Sequence, residues 1–263
     1  MEETNNSVVI VGAGNVATHI ARHLHNEGFR IEQVFSRTEA KAKTLANTVC
    51  ARPISDLRLI DKSADFYIIS VKDDAIAEVL PSLACVRGLV LHTSGSVGID
   101  VFNNKQISRY GVLYPLQTFS IKRKISFSEI PLFVEGNNDT VLEEVMCFAQ
   151  YFSDHITYTT SEQRRQIHLA AVFANNFSNH MFVLAGEVLK KAGVPFDVLF
   201  PIINETAQKV TKMPPIDAQT GPAVRYDKTV MNKHLSLLDN LKNKEIYVKI
   251  SENIHTFAEK KKQ

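Results

Sequence analysis

Apolar residues in the first half of the chain fall in short runs between helical stretches, and in the second half they keep helical spacing almost throughout. Val8-Val9-Ile10-Val11 is apolar at every position, as a parallel strand buried on both faces requires. Gly12-Ala13-Gly14 interrupts it. Asn15 to Glu27 then carries Val16, Ile20 and Leu24 at helical period, with Gly28 as the stop signal. Strands are expected at Ile31–Phe35, Asp65–Val71, Leu89–His92, Gly111–Leu113, Pro131–Glu135 and Ile156–Thr159. Helices are expected between them at Ala40–Thr48, Asp74–Leu80 and Thr140–Phe152. Strands alternating with helices predict a parallel, doubly wound α/β sheet.

From Ser161 the strand signal disappears. Glu162 to Ala192 meets no Pro and no Gly before Gly186, and as one helix it would run roughly 45 Å at 1.5 Å per residue. Phe196–Lys212, Lys228–Asp239 and Ile246–Lys260 also read as helices, with a short basic tail at Lys260–Lys262 that is expected to fray. An α/β half followed by an all-α half predicts two domains, 1–160 and 161–263.

The formal net charge of +2 is spread along the chain, so no basic stripe points to nucleic acid or a membrane surface. Met1 to Ser7 is polar and acidic, unlike a signal peptide, and no apolar run is long enough to span a bilayer. Cys50, Cys85 and Cys147 lie far apart, which fits neither a disulfide framework nor a zinc site. No metal is expected, and the reducing cytoplasm is the simplest compartment.

The chemistry begins at Gly12-x-Gly14-x-x-Ala17, the dinucleotide fingerprint of a Rossmann domain in its allowed Gly/Ala form. The first Gly permits the turn, the second lets the backbone approach a pyrophosphate, and the third, small residue lets helix and strand pack closely. Gly12, Ala13, Gly14, Asn15 and Val16 are therefore candidate cofactor contacts at a helix N-terminus. NAD-binding domains place a carboxylate at the end of the second strand, to hold the ribose 2′-hydroxyl. Here Ser36-Arg37-Thr38 offers a guanidinium and two hydroxyls, the donors a 2′-phosphate needs, so the expected cofactor is NADP(H). Two further strand ends, Val71-Lys72-Asp73 and Thr93-Ser94-Gly95, should complete the cofactor site, since ligands bind beyond the carboxyl ends of parallel strands.

Four motifs in order then carry a family resemblance: His92-Thr93-Ser94-Gly95-Ser96, Tyr114-Pro115-Leu116-Gln117-Thr118-Phe119, His168 to Asn176, and Ala218 to Asp227. The chain resembles bacterial Rossmann-like NADP oxidoreductases with an uncharacterised C-terminal helical domain. More distantly it is similar to pyrroline-5-carboxylate reductase and the 6-phosphogluconate dehydrogenase-like superfamily. The resemblance implies hydride transfer to or from a C=O or C=N group, and a homodimer formed through the helical domain.

Hydride chemistry needs a proton donor or acceptor beside the substrate. His168 matches the family motif and is the candidate acid/base, with Asn176 orienting the substrate. Asn175, Asn176, Asn179 and His180 sit in an otherwise apolar helix and should need partners there. Tyr114, Gln117 and Thr118 are candidate substrate contacts. Pro222 is expected to open a short helix whose amides, with Gln219, Thr220, Gly221 and Arg225, hold a substrate carboxylate. β-Hydroxyacid dehydrogenases carry a catalytic Lys one turn before an Asn on this helix. The apolar Ala171 and Val172 stand there, which disfavours that mechanism and leaves imine reduction, or carbonyl reduction with a His or Tyr donor. A non-catalytic NADP(H) sensor, or another use of the nucleotide fold such as methyl transfer, would keep the glycine turn and need no donor.

Overall fold

A computed structural model describes residues 6–262; Met1 to Asn5 of the polar leader lie outside the described residues. Eight strands form one sheet: β1 (Ser7–Val11), β2 (Arg30–Phe35), β3 (Arg52–Ile54), β4 (Phe66–Ile69), β5 (Leu89–His92), β6 (Tyr110–Pro115), β7 (Leu132–Gly136) and β8 (Ile156–Tyr158), in the order β3-β2-β1-β4-β5-β6-β7-β8. Four helices join them: α1 (Asn15–Asn26), α2 (Glu39–Thr48), α3 (Asp73–Val79) and α4 (Asp139–Ala149).

The unbroken apolar run of β1 is explained by two cores. Strand side chains alternate between faces. Val8 and Ile10 enter the core beneath α1 and α4, while Val9 and Val11 enter the core beneath α3. β4 and β5 divide in the same way, Ile68 and Leu91 to one side and Ile69 and Val90 to the other. The first core is closed by an aromatic group in which Phe66 and Phe148 stack with centroids 4.3 Å apart and Phe29 meets both rings edge-on.

The sheet departs from the all-parallel expectation at one place. β7 runs antiparallel to β6, with Tyr114 opposite Phe133 and Val112 opposite Glu135, and β8 is parallel to β7. The sixteen residues between β6 and β7 contain no helix to carry the chain back across the sheet, so the strand returns in the opposite direction. β3 is a three-residue edge strand containing Pro53, too short to register in the hydrophobic pattern.

Beyond β8 the expected single helix is divided. α5 (Ser161–Ala171) opens with a capping box, in which Thr160 and Gln163 satisfy each other's backbone amides. Residues Val172–Phe177 are a π-helix, and α6 (Ser178–Ala192) follows. The chain forms two compact units that meet in sequence between Asn175 and Asn176, inside this π-helical segment rather than at Thr160. The second unit comprises α6, a 3₁₀ turn at Phe196–Leu199, α7 (Phe200–Val210), α8 (Pro215–Ala218), α9 (Lys228–Leu237) and α10 (Leu241–Lys262). α10 begins earlier than expected and includes the basic tail that was expected to fray. Residues 221–226 form turns and no helix opens at Pro222; helix-start prolines of the second unit are Pro201 in α7 and Pro215 in α8. No described helix is long and apolar enough to cross a membrane.

Candidate active site

The parallel strands β1 to β6 end at one rim, and the turn after β1 is built there first. Gly12 has φ +130°, and a Cβ at this position would stand 2.2 Å from the Ser70 carbonyl oxygen, so only glycine fits. Its amide donates to the Phe35 carbonyl at 2.9 Å, which ties the turn to the end of β2. Gly14 is the N-cap of α1 and lends it no side chain, and a Cβ there would meet nothing within 4 Å. Free amides therefore face open space, the arrangement a pyrophosphate requires.

That space continues as a cavity of about 390 Å³ lined by the glycine turn, Ser36-Arg37-Thr38 and Val71-Lys72. Ser36 Oγ accepts from the Thr38 amide at 3.2 Å and shapes this loop. Arg37 lies 3.8 Å from Glu78, an exposed contact too weak to hold it from a phosphate. Lys41, in the first turn of α2, also lines the cavity. It was missed from the sequence, although a cation in the first turn of the helix after Ser36-Arg37-Thr38 is a legible signal. The cavity thus has a glycine cradle at one end and two cations with two hydroxyls at the other, which fits a dinucleotide carrying a 2′-phosphate.

The remaining cofactor candidates divide. Asn15 donates its side-chain amide to the Phe119 carbonyl at 2.9 Å, and Val16 packs against the core, so both fasten α1. Asp73 opens α3 and accepts a short hydrogen bond from Ser96. Thr93 pairs with Ser70 across the β4 and β5 ends at 3.0 Å. Ser94 Oγ accepts from the amides of Ser96 and Val97, each at 3.1 Å, and so fixes the loop after β5.

Gly95, in that loop, presses on a pair of side chains that the sequence did not bring together. The Tyr114 hydroxyl, near the end of β6, lies 3.0 Å from His168 Nδ1 on α5. The rings meet edge-on with centroids 5.9 Å apart. Burial raises the Tyr114 pKa above the ordinary tyrosine value, with Arg164 acting against the rise. Beneath the loop, His92 is wholly buried and stacked on Phe102. Burial, and then the nearby Arg164 charge, push its pKa down to about 3, so it is a neutral structural group.

His168 thus takes Tyr114 as its hydrogen-bond partner. Asn176 lies in the π-helical segment at the start of the second unit, and Asn175, Asn176, Asn179 and His180 are exposed rather than enclosed in an apolar face. Gln117 and Thr118 are exposed too, the Gln117 side chain accepting from the Thr118 amide at 2.8 Å. Gln219, Thr220, Gly221 and Arg225 all belong to the second unit. There Gln219 donates to the Thr220 carbonyl, Gly221 has φ +108°, and Arg225 is exposed.

Comparison with known proteins places this geometry. An NADP oxidoreductase, provisionally so named, from Bacteroides fragilis is 43% identical over 96% of this chain and 98% of its own, with a TM-score of 0.91. This chain belongs to that protein's family. Within the family frame, residues 130–254 match the model of a domain of unknown function (DUF2520), and residues 2–78 match the shikimate/quinate 5-dehydrogenase model. The latter match spans only the dinucleotide turn and its first crossovers. An imine reductase from Myxococcus stipitatus, solved in complex with NADP+, shares the fold at 14% identity over 97% of this chain and 93% of its own, with a TM-score of 0.67. A pyrroline-5-carboxylate reductase from Coxiella burnetii shares it at 15% identity over 98% of each chain, with a TM-score of 0.58. No curated protein matches the chain.

Gly95→Ala tests the packing at the pair. The added Cβ would stand 2.7 Å from both His168 Nδ1 and Tyr114 Cζ, side-chain rather than backbone atoms. The expected outcome is a folded protein in which the Tyr114–His168 hydrogen bond is lost, seen as a shifted His168 Nδ1 resonance in ¹⁵N NMR.

Proposed function

We propose that this protein is an NADP(H)-dependent oxidoreductase that transfers hydride to or from a C=O or C=N group of a small metabolite, probed most directly as a reductase. The observation that carries the reading is the Tyr114–His168 pair beside Gly95, on the strand rim that also bears the glycine cradle. A non-catalytic dinucleotide sensor has no use for a proton-donating pair at that place.

In this reading the α1 amides above Gly14 take the pyrophosphate, and Ser36, Arg37, Thr38 and Lys41 take the 2′-phosphate. When bound, NADPH supplies the hydride. Tyr114 donates the proton that the reduced oxygen or nitrogen needs. Its raised pKa keeps the hydroxyl protonated through neutral pH. His168 then returns a proton through Nδ1 to the phenolic oxygen, so the pair ends one proton poorer and recovers it from water. The NADP+ named in the imine reductase complex and the provisional name of the Bacteroides fragilis relative support the cofactor choice.

Two substitutions test these assignments separately. Arg37→Ala should weaken NADPH binding roughly 10- to 100-fold and leave NADH binding unchanged, by the worth of one charge-assisted phosphate contact. Equal loss for both nucleotides would remove the 2′-phosphate assignment. Tyr114→Phe should lower kcat by about 100-fold or more, the usual contribution of a general acid. NADPH affinity should stay within about twofold. The assay is NADPH oxidation with cyclic imines, 2-oxo acids and semialdehydes.

We further infer a homodimer joined through the helical unit. Among the described residues from Asn176 onward the buried hydrophobic side chains are Ala223 and Met231, whereas Phe200 and Ile202 are 53% and 63% exposed. Apolar surface of that extent calls for a covering partner. Light scattering coupled to gel filtration should give twice the chain mass, and Ile202→Glu should shift it toward the monomer. A wild-type monomer at micromolar concentration would overturn the inference.

A further inference from the structure

We propose that Arg164 is the positioning residue of the site, holding α5 and the loop after β5 in the one register that lets Tyr114 meet His168. The inference rests on the acid–base reading of that pair given above.

Arg164 is 0% exposed, the bulkiest fully buried side chain among those described. Its guanidinium ion-pairs with Glu135 of β7 through a short contact and donates to the Val97 carbonyl at 2.6 Å. Glu135 also accepts from the Ser161 amide at 3.0 Å and from Ser161 Oγ at 2.8 Å. Ser161 Oγ in turn accepts from the Ile99 amide at 2.9 Å. Strand β7, the loop after β5 and the first turn of α5 are thus joined through one charged centre.

The geometry passes directly to the Tyr114–His168 pair. His168 lies four residues after Arg164, on the same face of α5. Gly95 lies two residues before Val97, with no space between its Cα and the pair. A slide or rotation of α5 against the loop would therefore either open the 3.0 Å hydrogen bond or drive Gly95 into it.

Stability alone does not account for the network. A buried ion pair is often replaceable by apolar residues at no loss, because desolvation offsets the attraction. Arg164 Nε is buried without a hydrogen-bond partner, a further cost that a purely structural anchor would avoid. What an ion pair with directed hydrogen bonds adds over apolar packing is a fixed register. The Arg164 charge also acts on Tyr114 itself, opposing the rise in its pKa.

The test uses Arg164→Lys, Glu135→Gln and the apolar pair Arg164→Met/Glu135→Leu, each compared with Tyr114→Phe in the full chain. Folding is checked by thermal denaturation and NADPH binding by fluorescence. In the apolar pair, NADPH affinity should stay within about twofold of wild type. The His168 Nδ1 resonance should lose its hydrogen-bonded position, kcat should fall at least tenfold, and the alkaline limb of the pH profile should move upward with the Arg164 charge gone. Arg164→Lys, which keeps the charge but not the fork, should restore the alkaline limb and not the Nδ1 resonance. If the apolar pair folds with the Nδ1 resonance and kcat of wild type, Arg164 positions nothing. If none of the three variants folds, the network belongs to the fold and the proposal is equally overturned. Should Tyr114→Phe turn over normally, it is the acid–base reading that fails, whatever the Nδ1 resonance shows.

Discussion

The constraint on which the cofactor rim depends is the contact between the turn after β1 and the end of β4, where Gly12 leaves no room for any side chain before the Ser70 carbonyl. Because the backbone can pass so near, α1 starts directly over the sheet and its free amides point along the strand rim. Every other functional group is placed relative to that rim. The end of β2 is tied to it by the Gly12 amide, and the ends of β4 and β5 by the Ser70–Thr93 hydroxyl pair. The dinucleotide cradle is therefore a property of three strand ends together rather than of a glycine pattern alone.

Much of this was legible in the sequence, for reasons that differ by element. The apolar run Val8–Val11 has to be a central strand because both of its faces are buried, and period-two alternation then assigns its residues to two cores. The glycine turn and the missing carboxylate after β2 are local features, and local features survive in a sequence. β3 did not show because three residues with an edge proline carry too little pattern. The reversal of β7 did not show because strand direction is set by what lies between strands, and that loop carries no periodic signal. The π-helical segment has the same apolar and polar composition as an α-helix, so nothing in its residue types announced the change of winding.

The candidate site was half legible. His168 stood out as a polar residue in a helix, and Tyr114 as part of a motif after a strand. Their pairing did not, since they are 54 positions apart and the sequence offers nearer partners such as Asn176. Arg164 and Glu135 were invisible as a pair for a similar reason: each reads as an ordinary surface charge until burial is known. Lys41 is the exception, a cation in the first turn of the helix after the Ser36-Arg37-Thr38 loop that the sequence could have shown.

The reversed strand has a consequence for how a histidine reaches this rim. After a parallel strand, a crossover helix begins at the cofactor rim and runs away from it. β7 and β8 instead run back from that rim, so α5 follows a reversed strand and starts with Ser161 and Arg164 bound to Glu135, opposite Val112 and level with His92 at the end of β5. It then climbs in the direction of β6 and arrives beside Tyr114 with its second turn. One change of strand direction thus delivers the side chains of a helix body to an edge that otherwise receives only loops and helix beginnings. A titratable ring mounted on a rigid helix is held more firmly there than on a loop.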